Sequence, residues 1–172
     1  EEEIVERIRK DDEAAEAQRL EIDQNQKKEE EEKQKKINEA IAAIDRENLP
    51  EAMEIIGESE DMREAVALYY NDMGMQCRTN KAFKEAELNY SKALLISPDD
   101  ENLYYNMGRS YFEAGDPVKA ENLLAAAMKL NPDFREGQVF YDYLSKVNSP
   151  QPSQTHPPKK AEGFFKKMLH KK

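Results

Sequence analysis

Residue types able to do covalent or metal chemistry are few in this chain, and they are poorly placed for it. The histidines, His156 and His170, fall in a proline-rich stretch and a basic terminus, with no second ligand at metal-binding spacing. The single cysteine, Cys77, has no histidine near it in sequence. It takes a position that an internal repeat, described below, reserves for the core, which suits a small buried residue better than a nucleophile. Neither a Gly-rich phosphate loop nor a serine elbow is present. With 36 acidic residues in the chain, chance carboxylate pairs at i,i+4 carry no information. The chain is therefore read as a non-enzyme without cofactor or metal. What remains is binding chemistry: Tyr105, Arg109 and Phe112 place a guanidinium between two aromatic rings, each about one turn away, a set suited to recognising another protein.

Composition narrows the partner. The 172 residues suffice for one domain plus extensions, and the net charge of −10 is unevenly spread. Residues 1–36 carry 14 acids and 9 bases, 37–147 carry 21 and 11, and 148–172 carry 1 and 6. An acidic middle argues against a nucleic-acid surface, which needs clustered Lys and Arg. No run of about 18 apolar residues exists to span a bilayer. One cysteine excludes an intrachain disulfide and suits a reducing, cytoplasmic setting. No signal peptide is visible, and an opening on Glu1 rather than Met leads to the expectation of a piece of a longer protein.

The elements that must position the binding residues come from an echo at a fixed offset of 34. Tyr70, Met73, Gly74, Cys77, Ala86, Tyr90, Ala93 and Pro98 are answered by Tyr104, Met107, Gly108, Tyr111, Ala120, Leu124, Ala127 and Pro132. Two short helices and a tight turn, repeated and stacked, produce such a pattern. Gly74 and Gly108 sit mid-helix, where glycine costs about 1 kcal/mol relative to alanine. They mark close approach of the partner helix, with Ala86 and Ala120 opposite and Tyr70, Tyr104, Tyr90 and Leu124 filling between. Pro98 and Pro132 end the second helices. Asp99 or Asp100, and Asp133, are expected to cap the helices that follow, and Gly115-Asp116-Pro117 is expected to turn into one.

These residues resemble the tetratricopeptide repeat family, whose W-x2-L-G-x2-Y…A-x3-F…P pattern reads here as Y-x2-M-G-x2-C…A-x3-Y…P and then Y-x2-M-G-x2-Y…A-x3-L…P. The resemblance implies an all-α fold, an α-solenoid of antiparallel helix pairs wound into a right-handed superhelix. The domain is expected over 37–147: a degenerate repeat at 37–66, repeats at 67–100 and 101–134, and a capping helix at 135–147. In the family, the first helix of each pair lines a concave groove for an extended or helical partner segment. Carried over by position, the groove would include Asn71, Met75, Arg78, Asn102, Tyr105, Asn106, Arg109 and Phe112, with Leu68 beside them and Ile37, Ile41 and Ile44 at the first-repeat end. One subfamily clamps the C-terminal carboxylate of heat-shock chaperones with Lys, Asn and Arg. Here Asn106 matches, but Asn71, Met75, Glu136 and Phe140 replace the other members, so that ligand is not expected.

The flanks differ in character. Ile4, Ile8, Ala15 and Ile22 suggest a heptad seam that Asp11 and Gln18 break, and Gln24–Lys36 holds no apolar residue. Its acids and lysines can pair at i,i+4, as Glu29–Lys33, Glu31–Lys35 and Glu32–Lys36. Residues 1–36 are therefore expected as a long charged helix, a stalk or interdomain connector, with a coiled-coil dimer the lesser reading. Residues 148–160 form a proline-rich linker, and 161–172 a basic amphipathic tail. In that tail Phe164, Phe165, Lys166, Lys167, Met168 and Leu169 could dock into an acidic groove or touch an anionic membrane weakly. The main expectation is a protein–protein interaction module, an adaptor or scaffold, conceivably the C-terminal part of a multidomain signalling protein. The alternative is a peripheral membrane or complex-assembly factor recruited through its tail.

Overall fold

The computed structural model describes residues 2–148, so the tail residues Phe164, Phe165, Lys166, Lys167, Met168 and Leu169 lie outside the described part. Those residues form α1 (Glu2–Asp45), α2 (Leu49–Ile56), α3 (Glu60–Thr79), α4 (Phe83–Ile96), α5 (Glu101–Glu113), α6 (Pro117–Leu130) and α7 (Arg135–Asn148). The fold is an all-α helical-repeat solenoid.

Helix α1 runs unbroken because no glycine or proline interrupts it, and Ala15 to Glu32 is exposed throughout. Glu32 pairs with Lys36 at 3.1 Å, as its spacing suggested. The other two expected pairs give way to different partners: Glu31 faces Lys27, Lys35 faces Glu39, and Lys33 reaches Asp61 at 3.5 Å. Lys33 stands where α1 first meets the start of α3, and the acid there draws it off its own helix. Four residues later, Ile37 enters the core.

Turn chemistry sets the helix ends. The Asn48 and Ser59 side chains accept hydrogen bonds from the amides of Glu51 and Met62, and Asp116 accepts from that of Lys119, each satisfying an otherwise unpaired first-turn donor. Asp100 caps α5 through the Asn102 amide at 2.8 Å. Asp133 does not act as expected: its own amide donates to Asn131 Oδ1 at 3.0 Å, so Asn131 organises the approach to α7. The hairpin turns share one feature the sequence pattern did not display. Glu47 (φ 61°), Lys81 (φ 61°) and Gly115 (φ 90°) are all left-handed and stand 34 residues apart. The hairpins α1/α2, α3/α4 and α5/α6 thus turn at one common register. A boundary at 66/67 falls inside α3, which starts at Glu60.

The core runs the length of the stack. Ile37, Ala40, Ala43 and Ile44 meet Ala52, Ile56, Val66 and Tyr70, and this layer reaches Ala93, Ile96 and Leu103. Ala86, Tyr90 and Met107 continue it, and Ala120, Leu124, Phe140 and Leu144 complete it against α7. Each fully buried Ile, Leu, Val or Phe among them contributes about 1.5–3 kcal/mol by leaving water. Ile37 and Ile44 are core residues here and do not line the groove end assigned to them. Tyr104 is only half-buried, because Leu103 takes the inward position one residue earlier.

One polar cluster ties the first hairpin to the second. The Tyr70 hydroxyl lies 2.8 Å from Asp45 Oδ1 and 3.0 Å from the Ile41 carbonyl oxygen. Lys92 Nζ donates to the same Asp45 oxygen at 2.7 Å, and stands 5.2 Å from the centre of the Tyr70 ring.

Candidate functional site

Helices α3, α5 and α7 lie side by side and run in the same direction. Their cross-contacts fix the register: Asn106 Nδ2 donates to Asn71 Oδ1 at 3.0 Å, and Arg78 Nη1 meets Glu113 Oε1 at 2.5 Å, each pair 35 residues apart. Beyond α5, Tyr105 packs edge-on against Phe134 and Phe140, and Phe112 against Phe140 and Tyr143. First helices of successive hairpins therefore share one face, as ridge-into-groove stacking of similar units requires.

The sequence-derived groove residues separate into those this face joins and those it does not. Asn71 and Asn106 form a side-chain amide pair, which leaves the Asn71 amide hydrogens and the Asn106 carbonyl oxygen for a ligand. Arg109 lies over the Tyr105 ring at 5.8 Å, and Arg78, 14% exposed, is tied to Glu113. Asn102 is exposed and bonds Asp100. Met75 is half-buried and packs toward Ala86, Tyr90 and Met107, so it contributes more to the core than to the open face. Phe112 leans on α7. Phe140, where a clamp residue would be wanted, is fully buried.

Tyr90 is the residue that position-by-position carry-over missed. It is fully buried on α4, yet its phenol reaches the surroundings of Arg78, Arg109 and Glu113. Burial raises its pKa, while the neighbouring Arg78 and Arg109 guanidinia oppose the rise and Glu113 adds to it. The signal was available: a tyrosine at the position held by Leu124 in the next repeat brings a hydroxyl that must find polar company. Tyr105 is raised as well, chiefly by burial, with Arg109 working against it.

Along the face, charge is polarised. At the end formed by the first turns of α3 and α5, a depression of about 370 Å³ is lined by Glu60, Glu64, Asp100, Leu68, Asn71 and Leu103, among others. No basic residue lines it, and Leu68 is 54% exposed at its edge. At the other end stand Arg109 and the Arg78–Glu113 ion pair. Cys77 is half-buried, near Asn89. No group of three or more His, Cys, Asp or Glu residues able to hold a metal occurs among the described residues, and no helix among them is long and apolar enough to cross a membrane.

Comparison with known proteins agrees with this geometry. A family model for the tetratricopeptide repeat matches residues 78–138. Tetratricopeptide repeat protein 16 of Mus musculus is 28% identical over 91 residues, covering 50% of this chain and 12% of that protein. Its Macaca fascicularis counterpart is 30% identical over 91 residues, covering 50% of this chain and 10% of its own length. The chain thus spans about a tenth of the length of the curated relatives it matches. Proteins of this kind generally mediate protein–protein interactions and are typically non-enzymatic scaffolds. Repeat register, stacked hairpins and the match over 78–138 together support a tetratricopeptide repeat assignment for this stretch.

Proposed function

We propose that the chain is an adaptor or scaffold module that holds a peptide segment of a partner protein across the shared face of α3, α5 and α7. The observation that carries this reading is the Asn71–Asn106 amide pair, half-exposed midway between an acidic and a cationic end. Side-chain amides can bond a peptide backbone whatever its sequence, and the charged ends select its direction. A basic portion of the ligand would lie toward Glu64 and Asp100, and an acidic portion toward Arg109. On this reading the partner is a protein rather than a nucleic acid, and the adaptor works in the cytoplasm, where the lone Cys77 would stay reduced.

The test is a peptide-display selection against the full chain, followed by titration of the selected peptides. Asn71→Ala/Asn106→Ala and Arg109→Glu should each weaken binding tenfold or more, with thermal melting unchanged within a few degrees. Leu88→Ser/Leu95→Ser, on exposed positions of α4, should not. Loss of binding in the α4 variant alone would place the site on that helix and overturn the assignment.

A further inference from the structure

We propose that the chain's own basic end, residues 159–172, docks onto the acidic end of this groove and competes there with partner peptides. This deepens the groove reading and rests on it. Three observations converge. The depression between α3 and α5 carries Glu60, Glu64 and Asp100 beside the exposed Leu68, with no lysine or arginine in its lining. Glu64 makes no ion pair among the described residues, so its charge is not spent inside the fold. Residues 159–172 offer the complement: Phe164, Phe165, Met168 and Leu169 among six lysines with one acid. The aromatic and aliphatic side chains would cover Leu68, while the lysines face the carboxylates.

Reach allows it. Helix α7 runs parallel to α3 and α5, so Asn148 lies at the Arg78–Glu113 end of the face. Returning to Glu64 means about 20 Å along the helices and about 20 Å across two helix spacings, or about 30 Å on the diagonal. The 16 residues 149–164 span up to about 50 Å when extended. An intramolecular ligand on such a linker acts at an effective concentration near the millimolar range, so weak intrinsic affinity suffices to occupy the site.

The chain contains no tryptophan, which permits a direct test in the whole 172-residue chain. Phe165→Trp places one reporter in the basic end. Docking predicts a blue-shifted emission and at least twofold weaker acrylamide quenching than in the free 159–172 peptide carrying the same change. Glu60→Lys/Glu64→Lys, or 0.5 M salt on the Phe165→Trp chain, should return both readings to the free-peptide values. Charge reversal at the exposed Glu30 and Glu32 of α1 should leave them alone. Quenching equal to that of the free peptide overturns the proposal. So does a signal that fades on hundredfold dilution, which would mean a second copy, or one that appears only with anionic phosphatidylserine vesicles. The groove reading is tested separately by the peptide titrations at Asn71, Asn106 and Arg109, so tail docking can fail while that reading stands. With docking, releasing the basic end should tighten the selected peptides severalfold.

Discussion

The Tyr90 ring fills the space that a side chain on Gly74 would need. A Cβ built on Gly74 would lie 2.6 Å from Tyr90 Cε1 and 2.7 Å from Cδ1, well inside contact distance. The counterpart pair one repeat later is looser: a Cβ on Gly108 would meet the Ala120 carbonyl oxygen at 3.3 Å and Leu124 Cγ at 3.5 Å. Glycine in α3 is therefore what lets the Tyr90 phenol cross toward Arg78 and Arg109.

Gly74→Ala should accordingly destabilise the fold by about 1–3 kcal/mol, the usual cost of forcing volume into a filled core. Gly108→Ala should stay within about 1 kcal/mol of the parent, because better helix propensity offsets a mild contact. Tyr90→Leu, which copies the next repeat, should recover part of the Gly74→Ala loss in the double variant. Urea unfolding of the parent and the four variants checks this. Equal losses for the two glycine variants, or additive losses in the double variant, would show that the ring is not what the glycine accommodates.

How far the sequence disclosed these arrangements depends on the residue. The helix pairs around Gly74 and Gly108 were legible because small and bulky residues recur at one period, and close packing of helices demands just that alternation. The first hairpin was fainter, since its left-handed turn is made by Glu47 and the next by Lys81, neither a residue that advertises the conformation. The groove was legible only as a set of positions. Sequence offset placed Phe112 and Met75 on the open face, but the aromatic side chains of α7 and the Tyr90 cluster draw both inward. Charge polarity along the face was hidden as well, because Glu60, Glu64 and Asp100 come together only when α3 and α5 stack.

Those left-handed turns give a second expectation. A residue with a Cβ in this region costs about 1–2 kcal/mol, and both Glu47 and Lys81 are exposed. Lys81→Gly and Glu47→Gly should each raise stability by about 0.5–1 kcal/mol, the strain relieved less the added freedom of the unfolded chain. Gly115→Ala, at φ 90°, should lower it by about 1 kcal/mol or more. Melting temperatures of the single variants would show the sign. A loss in both glycine variants would mean that side-chain contacts outweigh the backbone conformation.

The Asp45–Tyr70–Lys92 cluster predicts how stability follows pH. Burial alone would raise the Asp45 pKa, but hydrogen bonds from Lys92 and Tyr70 and the Lys92 charge outweigh it and hold the carboxyl below its ordinary value. A lowered carboxylate contributes stability that is complete above its unfolded pKa of about 4 and is lost as pH falls through the folded value. Tyr70 is shifted the opposite way, raised first by burial and then by its hydrogen bond to Asp45 and the nearby negative charge. A raised phenol contributes stability that is complete below about pH 10 and disappears as pH climbs above it. Tyr111, pushed up to about 12 by burial and by its hydrogen bond to Glu87, falls on the same alkaline limb. Lys92→Met should therefore flatten the acid limb between pH 5 and pH 3 while leaving most of the alkaline limb in place. Tyr70→Phe should cost about 1 kcal/mol at pH 7 through its lost hydrogen bond and soften the decline above pH 10. Denaturant unfolding measured from pH 3 to pH 11 separates the two effects. An acid limb unchanged in Lys92→Met would show that Asp45 owes its low pKa to the Tyr70 hydroxyl rather than to Lys92.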